Sequence, residues 1–195
     1  MDWLSPLLIW EAIGVALGLA YVLFAARESI WCWPCALGST TIFIFLFWDV
    51  SLLMESALNV YYFIMAIYGW WHWTRDKPAD QARLPIQSWS LRNHLITFGV
   101  IAALTLVSGT LLVERTSAVM PFLDSFTTWA SVITTWMVAR KILENWLYWV
   151  VIDAASIVLY LDRGLYMTSG LFALYVGIAL YGWWEWRRHY RAQLV

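Results

Sequence analysis

Of 195 residues, 62% are hydrophobic and 13% charged, against roughly a quarter charged in an average soluble domain, which excludes an ordinary water-soluble globule. Net charge is −1 and the twelve Lys and Arg residues are scattered, so the basic stripe that nucleic-acid binding needs is missing and DNA and RNA are excluded as partners. No basic n-region with an A-x-A cleavage signal opens the chain, so the first apolar run is expected to stay in the mature protein.

A helix needs about 20 apolar residues to cross the hydrocarbon core, and seven segments qualify, at 6–26, 30–48, 51–73, 93–113, 121–139, 145–161 and 165–186. In the first, Glu11 precedes Gly14 and Gly18, a small-residue face suited to helix contact. The second opens on W-C-W-P-C at 31–35, and the third carries Glu55, Asn59 and Tyr62 on one face. The stretch Thr74 to Arg92, with Pro78, Pro85 and mixed charge, reads as a linker, and 93–113 as a lone linking helix. In the sixth, Asn145, Trp149, Asp153, Ser156 and Tyr160 share a face, with Trp146 beside it. The seventh carries Gly170 and Gly177, which read as further helix-contact positions. The tryptophans at span ends, Trp70, Trp71, Trp73, Trp183, Trp184 and Trp186, read as an interfacial belt.

Charge sets the direction of the spans. If loops alternate sides, one side receives ten of the twelve cations, and the other only Arg115 and Arg163. That bias predicts a cytoplasmic C-terminus and a periplasmic N-terminus.

An internal repeat organises the seven. At an offset of 113 residues, Arg27–Trp73 lies over Arg140–Trp186 with 16 of 47 positions identical, including Trp33 with Trp146, Ser56 with Ser169 and Tyr62 with Tyr175. The string Y-G-W-W-H-W at 68–73 recurs as Y-G-W-W-E-W at 181–186. The expected fold is an all-α polytopic membrane protein. Its seven transmembrane helices form a 3+1+3 arrangement of two parallel three-helix repeats, 1–73 and 114–195. Parallel repeats about an axis along the membrane normal are one way to build a transporter that rocks about a midplane site.

Ionisable groups inside a span cost about 2.5 to 3.5 kcal/mol on insertion scales and usually face a bundle interior or a cavity. The repeat gives a control. Cys32, Ala36, Thr40, Phe43 and Phe47 stand where the second copy has Asn145, Trp149, Asp153, Ser156 and Tyr160. The polar stripe belongs to the second copy alone, which predicts an asymmetric pocket dominated by the sixth span and closed by Glu55 and Asn59. Either these residues bind a ligand or they hydrogen-bond between helices. Carboxylates among indole and phenol rings suit a flat aromatic cation, and Asn145, Ser156 and Tyr160 suit a set of sugar-like hydroxyls.

The string R-K-x-x-E-N-W-x-x-W-x-V-x-D at 140–153, with L-Y at 159–160 and R-G-L-Y at 163–166, resembles the PnuC family of bacterial vitamin transporters. So does L-N-V-Y-Y-F-I-M-A-I-Y-G-W-W-H-W at 58–73. The resemblance spans nearly the whole chain. It implies uptake of nicotinamide riboside across the bacterial inner membrane by facilitated diffusion, with trapping by a cytoplasmic kinase. It also implies a homotrimer of seven-helix protomers related to the SWEET sugar transporters, in contact with membrane lipid. Carried onto this chain, the family's pocket draws on Asn145, Trp146, Trp149 and Asp153, with Asn59 and Glu55 from the third span. Sister branches carry thiamine, also an aromatic cation, or riboflavin, which is neutral.

Other classes fare worse. W-C-W-P-C looks like the thioredoxin W-C-x-P-C site, which would make Cys32 and Cys35 the centre of a membrane thiol oxidoreductase. No βαβ pattern surrounds it, however, and it opens a membrane helix on the reducing side. No phosphate-cradling G-x-x-x-x-G-K-[ST] loop is present. His72, His94 and His189 share no ligand spacing. Neither catalytic residues, nor a bound metal, nor a cofactor is expected.

Overall fold

The computed structural model describes residues 6–49, 53–75, 84–115, 120–162 and 164–194. Among them lie seven helices, α1 (Pro6–Ala26), α2 (Cys32–Asp49), α3 (Leu53–Arg75), α4 (Leu91–Arg115), α5 (Pro121–Ala139), α6 (Asn145–Asp162) and α7 (Tyr166–Gln193). The predicted spans fall on them in order. Pro34 sits in the first turn of α2, where its missing N–H costs nothing. The largest departure is α7, which continues past Trp186 to Gln193. No Gly or Pro interrupts 183–193, and the added turns carry Arg187 and Arg188 over the rings of Trp183 and Trp184 at 5.7 and 5.1 Å. A helix can outrun its apolar stretch when the extra residues stand in the headgroups. Of the predicted linker, 76–83 lie outside the described residues. The remainder from Leu84 to Ser90 is non-helical and joins directly to α4.

The chain divides into two compact units, Met1–Pro85 with Ala139–Lys141, and Ile86–Val138 with Ile142–Val195. In the first, α1 packs on α2 and α2 on α3. Gly14 and Gly18 let α2 approach, as their spacing predicted. A Cβ on Gly14 would stand 3.1 Å from the Phe43 ring, and the Ser39 hydroxyl donates to the Gly14 carbonyl at 2.8 Å. Ser56 likewise donates to the Ile44 carbonyl at 3.0 Å. In the second unit α6 packs on α7, and Ile101, Ala130, Met137, Ile142, Tyr148 and Ile152 form a core flanked by Trp89, Phe126, Ile133 and Trp149. The outward face of α4 carries Leu95, Ile96, Leu106, Val107 and Leu111 exposed, a surface that lipid, not water, would solvate.

The repeat survives as geometry. Trp33 meets Trp73 edge to face at 5.2 Å and 85°, and Trp146 meets Trp186 at 5.5 Å and 85°. Beneath each indole lies a glycine of the next helix, Gly69 under Trp33 and Gly182 under Trp146. Two expectations are corrected here. Trp73 and Trp186 are buried, not members of an interfacial belt, because each packs edge to face in a Trp–Trp contact; Trp70, Trp71 and Trp184 are exposed. Gly170 and Gly177 face open space, and the close helix approach in α7 falls at Gly182 instead.

Candidate substrate-binding site

The site residues are set by how α6 begins. Glu144 occupies the N-cap position, its carbonyl accepting from the Leu147 and Tyr148 amides at 3.0 and 3.3 Å. Its carboxylate does not cap its own helix. It accepts from the Ser88 hydroxyl and from the Trp89 amide at 3.1 Å. The residue before it, Leu143, donates its amide to the Gln87 carbonyl at 2.7 Å. The start of α6 is therefore laced to the segment that leads into α4.

Asn145 follows, with no exposed surface. Its Nδ2 donates to the Ile142 carbonyl at 2.7 Å, which leaves Oδ1 buried with no donor among the described residues. Trp146 is buried with its Nε1 unpaired. Trp33 Nε1 is unpaired in the same way, so that feature belongs to the repeat, whereas the free Asn145 oxygen has only Cys32 as its counterpart. Along the same face, Asp153 and Ser156 are buried and Trp149 and Tyr160 half-buried. The Ser156 hydroxyl is spent on the Ile152 carbonyl at 2.9 Å. Among the described residues none gives Asp153 a hydrogen bond, although only 5% of it is exposed. A buried carboxylate with no hydrogen-bond donor is costly.

What stands near Asp153 is aromatic. Tyr175 of α7 is within electrostatic reach of it, Phe172 meets Tyr175 edge to face at 5.7 Å, and Tyr160 stacks on Phe172 at 5.1 Å and 26°. Sequence reasoning left Tyr175 and Phe172 out. The signal for Tyr175 was present, since the repeat aligns it with Tyr62. The first unit shows the counterpart without a carboxylate. Thr40 stands in place of Asp153 and returns its hydroxyl to the Ala36 carbonyl at 2.7 Å, and Phe43 stacks on Phe47 at 5.5 Å.

The α3 residues lie in the first unit. Glu55 is exposed, and Asn59 donates Nδ2 to the Glu55 carbonyl at 2.9 Å. Tyr62 is half-buried against Tyr61, and Tyr21 of α1 is within its electrostatic reach. The α6 stripe is thus brought onto one face with α7 aromatics, and the α3 trio is a local group of the first unit.

Cys32 and Cys35 are free thiols, and Cys32 is fully buried. A double Cys32→Ser, Cys35→Ser protein is expected to transport like the parent, which would sink the redox alternative; loss of transport in the folded double variant would revive it. Among the described residues no three of His, Cys, Asp and Glu come together as a metal cluster.

A family model described as nicotinamide mononucleotide transporter matches residues 8–188. The chain belongs to this family. Within it, the chain is 30% identical over 201 residues to the nicotinamide riboside transporter PnuC of Escherichia coli, covering 90% of this chain and 84% of that one. It is 25% identical over 185 residues to the riboflavin/roseoflavin transporter RibM of Streptomyces davaonensis, covering 92% and 85%. The fold matches the crystal structure of the vitamin B3 transporter PnuC with a TM-score of 0.73 at 19% identity, over 94% of this chain and 82% of that one. The family and the fold make the chain an all-α polytopic membrane protein of a transporter class, as its composition and spans predicted.

Proposed function

We propose that the chain takes up nicotinamide riboside across the bacterial inner membrane by facilitated diffusion with alternating access, without catalysis. The observation that carries this reading is the buried Asp153 carboxylate, which has no hydrogen-bond donor among the described residues and has Tyr175 within electrostatic reach, with Phe172 against Tyr175 and Tyr160 stacked on Phe172. The pyridinium ring of the riboside is an aromatic cation. It would supply the counter-charge for the Asp153 carboxylate, and its ribosyl hydroxyls would meet the free Oδ1 of Asn145. Ser156 and Tyr160 flank these groups, and Trp146 and Trp149 wall the same helix face; Glu55, Asn59 and Tyr62 stay a local group of the first unit. The similarity to PnuC supports the riboside over the neutral riboflavin of the RibM relative. Thiamine, a second aromatic cation, is the alternative. The same reading places the N-terminus in the periplasm and the C-terminus in the cytoplasm, in a lipid-embedded homotrimer.

Calorimetric titration of detergent-solubilised protein with the riboside, thiamine and riboflavin tests it. The riboside is expected to bind, with Asp153→Asn and Trp149→Ala each weakening binding roughly tenfold, the worth of one charge-assisted hydrogen bond or one aromatic contact. Binding of thiamine alone would keep the site and change the substrate. Riboside affinity unchanged in both variants would move the site off α6.

A further inference from the structure

Lys141 and Glu28 are 113 residues apart, the spacing of the repeat, so each occupies in one copy the position the other occupies in its own. Both have left-handed backbone, φ 54° at Glu28 and 53° at Lys141, a region that side chains bearing a Cβ rarely adopt. Both side chains are almost wholly buried, 3% and 2% exposed, and they pair with each other at 2.6 Å. Lys141 Nζ also donates to the Leu84 carbonyl at 3.0 Å and lies 4.5 Å over the Trp73 ring. Trp73 in turn donates to the Ala139 carbonyl at 3.1 Å. The transport reading uses none of these groups.

Their location gives them a use. Ile142 follows Lys141 directly, and its carbonyl accepts both the Asn145 amide at 3.2 Å and the Asn145 side-chain Nδ2 at 2.7 Å. The direction in which Asn145 presents its free Oδ1 is thus fixed by where the Ile142 carbonyl points. That in turn follows from the unusual backbone at Lys141, which the ion pair and the Leu84 bond hold. We propose that Glu28 and Lys141 are positioning residues for the substrate site: their buried pair sets the α5–α6 turn so that Asn145 offers its oxygen to the ligand. The proposal rests on the Asn145 site described above.

The test uses the full-length purified protein and calorimetric titration with nicotinamide riboside, on Asn145→Ala, Lys141→Met, Glu28→Gln and the pairs Asn145→Ala with Lys141→Met or with Glu28→Gln. Glu28→Gln keeps the side-chain shape and carries the test if Lys141→Met does not fold. Each single variant is expected to weaken binding about tenfold per folded protomer, the loss from one well-placed hydrogen bond. Each pair is expected to be no weaker than Asn145→Ala alone, because groups acting through one another are not additive. Lys141→Arg, which keeps the cation, is expected to bind close to the parent. Normal affinity in folded Glu28→Gln and Lys141→Met beside weakened Asn145→Ala would overturn the proposal and leave the site standing. So would losses that simply add in the pairs. Normal affinity in Asn145→Ala would remove the site itself, and the proposal with it.

Discussion

Gly182→Ala is expected to destabilise the protein by about 3 kcal/mol, the upper end for overpacking, and to lower its melting temperature in detergent by roughly 6 to 12 °C. The added Cβ would stand 2.6 to 2.7 Å from the Cδ2, Cε2 and Cε3 atoms of Trp146. That indole is buried and meets Trp186, one turn along the same helix as Gly182, edge to face, so it cannot retreat without disturbing that contact. Helix propensity works in the opposite direction, favouring alanine over glycine by about 1 kcal/mol, so a net loss identifies the contact as its cause. Gly177→Ala is the control: nothing lies within 4 Å of a Cβ there, and neutral or raised stability is expected. Gly69→Ala should repeat the loss in the first unit, where the Cβ would run into the Trp33 ring. Compensation then separates the two copies. Trp33→Leu with Gly69→Ala should recover stability and keep substrate binding. Trp146→Leu with Gly182→Ala should recover stability and lose binding, because Trp146 belongs to the candidate site. Equal binding in both rescued proteins would remove Trp146 from it.

Lys141→Met is expected to cost about 3 to 5 kcal/mol, the usual result of taking one partner from a buried ion pair. The loss arises mainly from Glu28, whose carboxylate would stay enclosed without its cation. Adding Glu28→Gln to Lys141→Met should restore most of the melting temperature, since replacing both charges removes the desolvation penalty along with the attraction. A double variant as unstable as the single would mean that the Leu84 hydrogen bond and the Trp73 ring contact, not the charge pair, carry the stability of the turn.

Apolar runs taken together with their flanking aromatics and charged breaks located the seven helices of the described residues, because a membrane leaves a chain few ways to satisfy its backbone other than a span of set length. Self-comparison of the sequence located the repeat, and the paired tryptophan contacts show why those residues recur. What hydropathy could not supply was the role of particular tryptophans. Trp73 and Trp186 differ in no local respect from Trp70 and Trp184, and only packing separates a buried edge contact from a headgroup anchor. Left-handed backbone at a glutamate and a lysine was equally hidden, since neither residue type signals it. The lacing of Gln87, Ser88 and Trp89 to Leu143 and Glu144 joins segments more than fifty residues apart and leaves no periodic trace. For the candidate site, the Asn145 to Tyr160 face was legible from spacing. Tyr175 and Phe172 became visible only once α7 was packed on α6.

The bond between Glu28 and Lys141 also bears on how such a chain could arise from a smaller one. Residues made equivalent by duplication and touching each other would, in an assembly of two identical three-helix chains, be the same residue twice. Two glutamates or two lysines would then face each other in a buried space, and like charges at that range repel strongly. Unlike residues at this one position make a bond that two identical copies could not make. A chain rebuilt from two copies of either half should therefore fail at this point first, and exchanging a single residue in one copy should be the smallest repair.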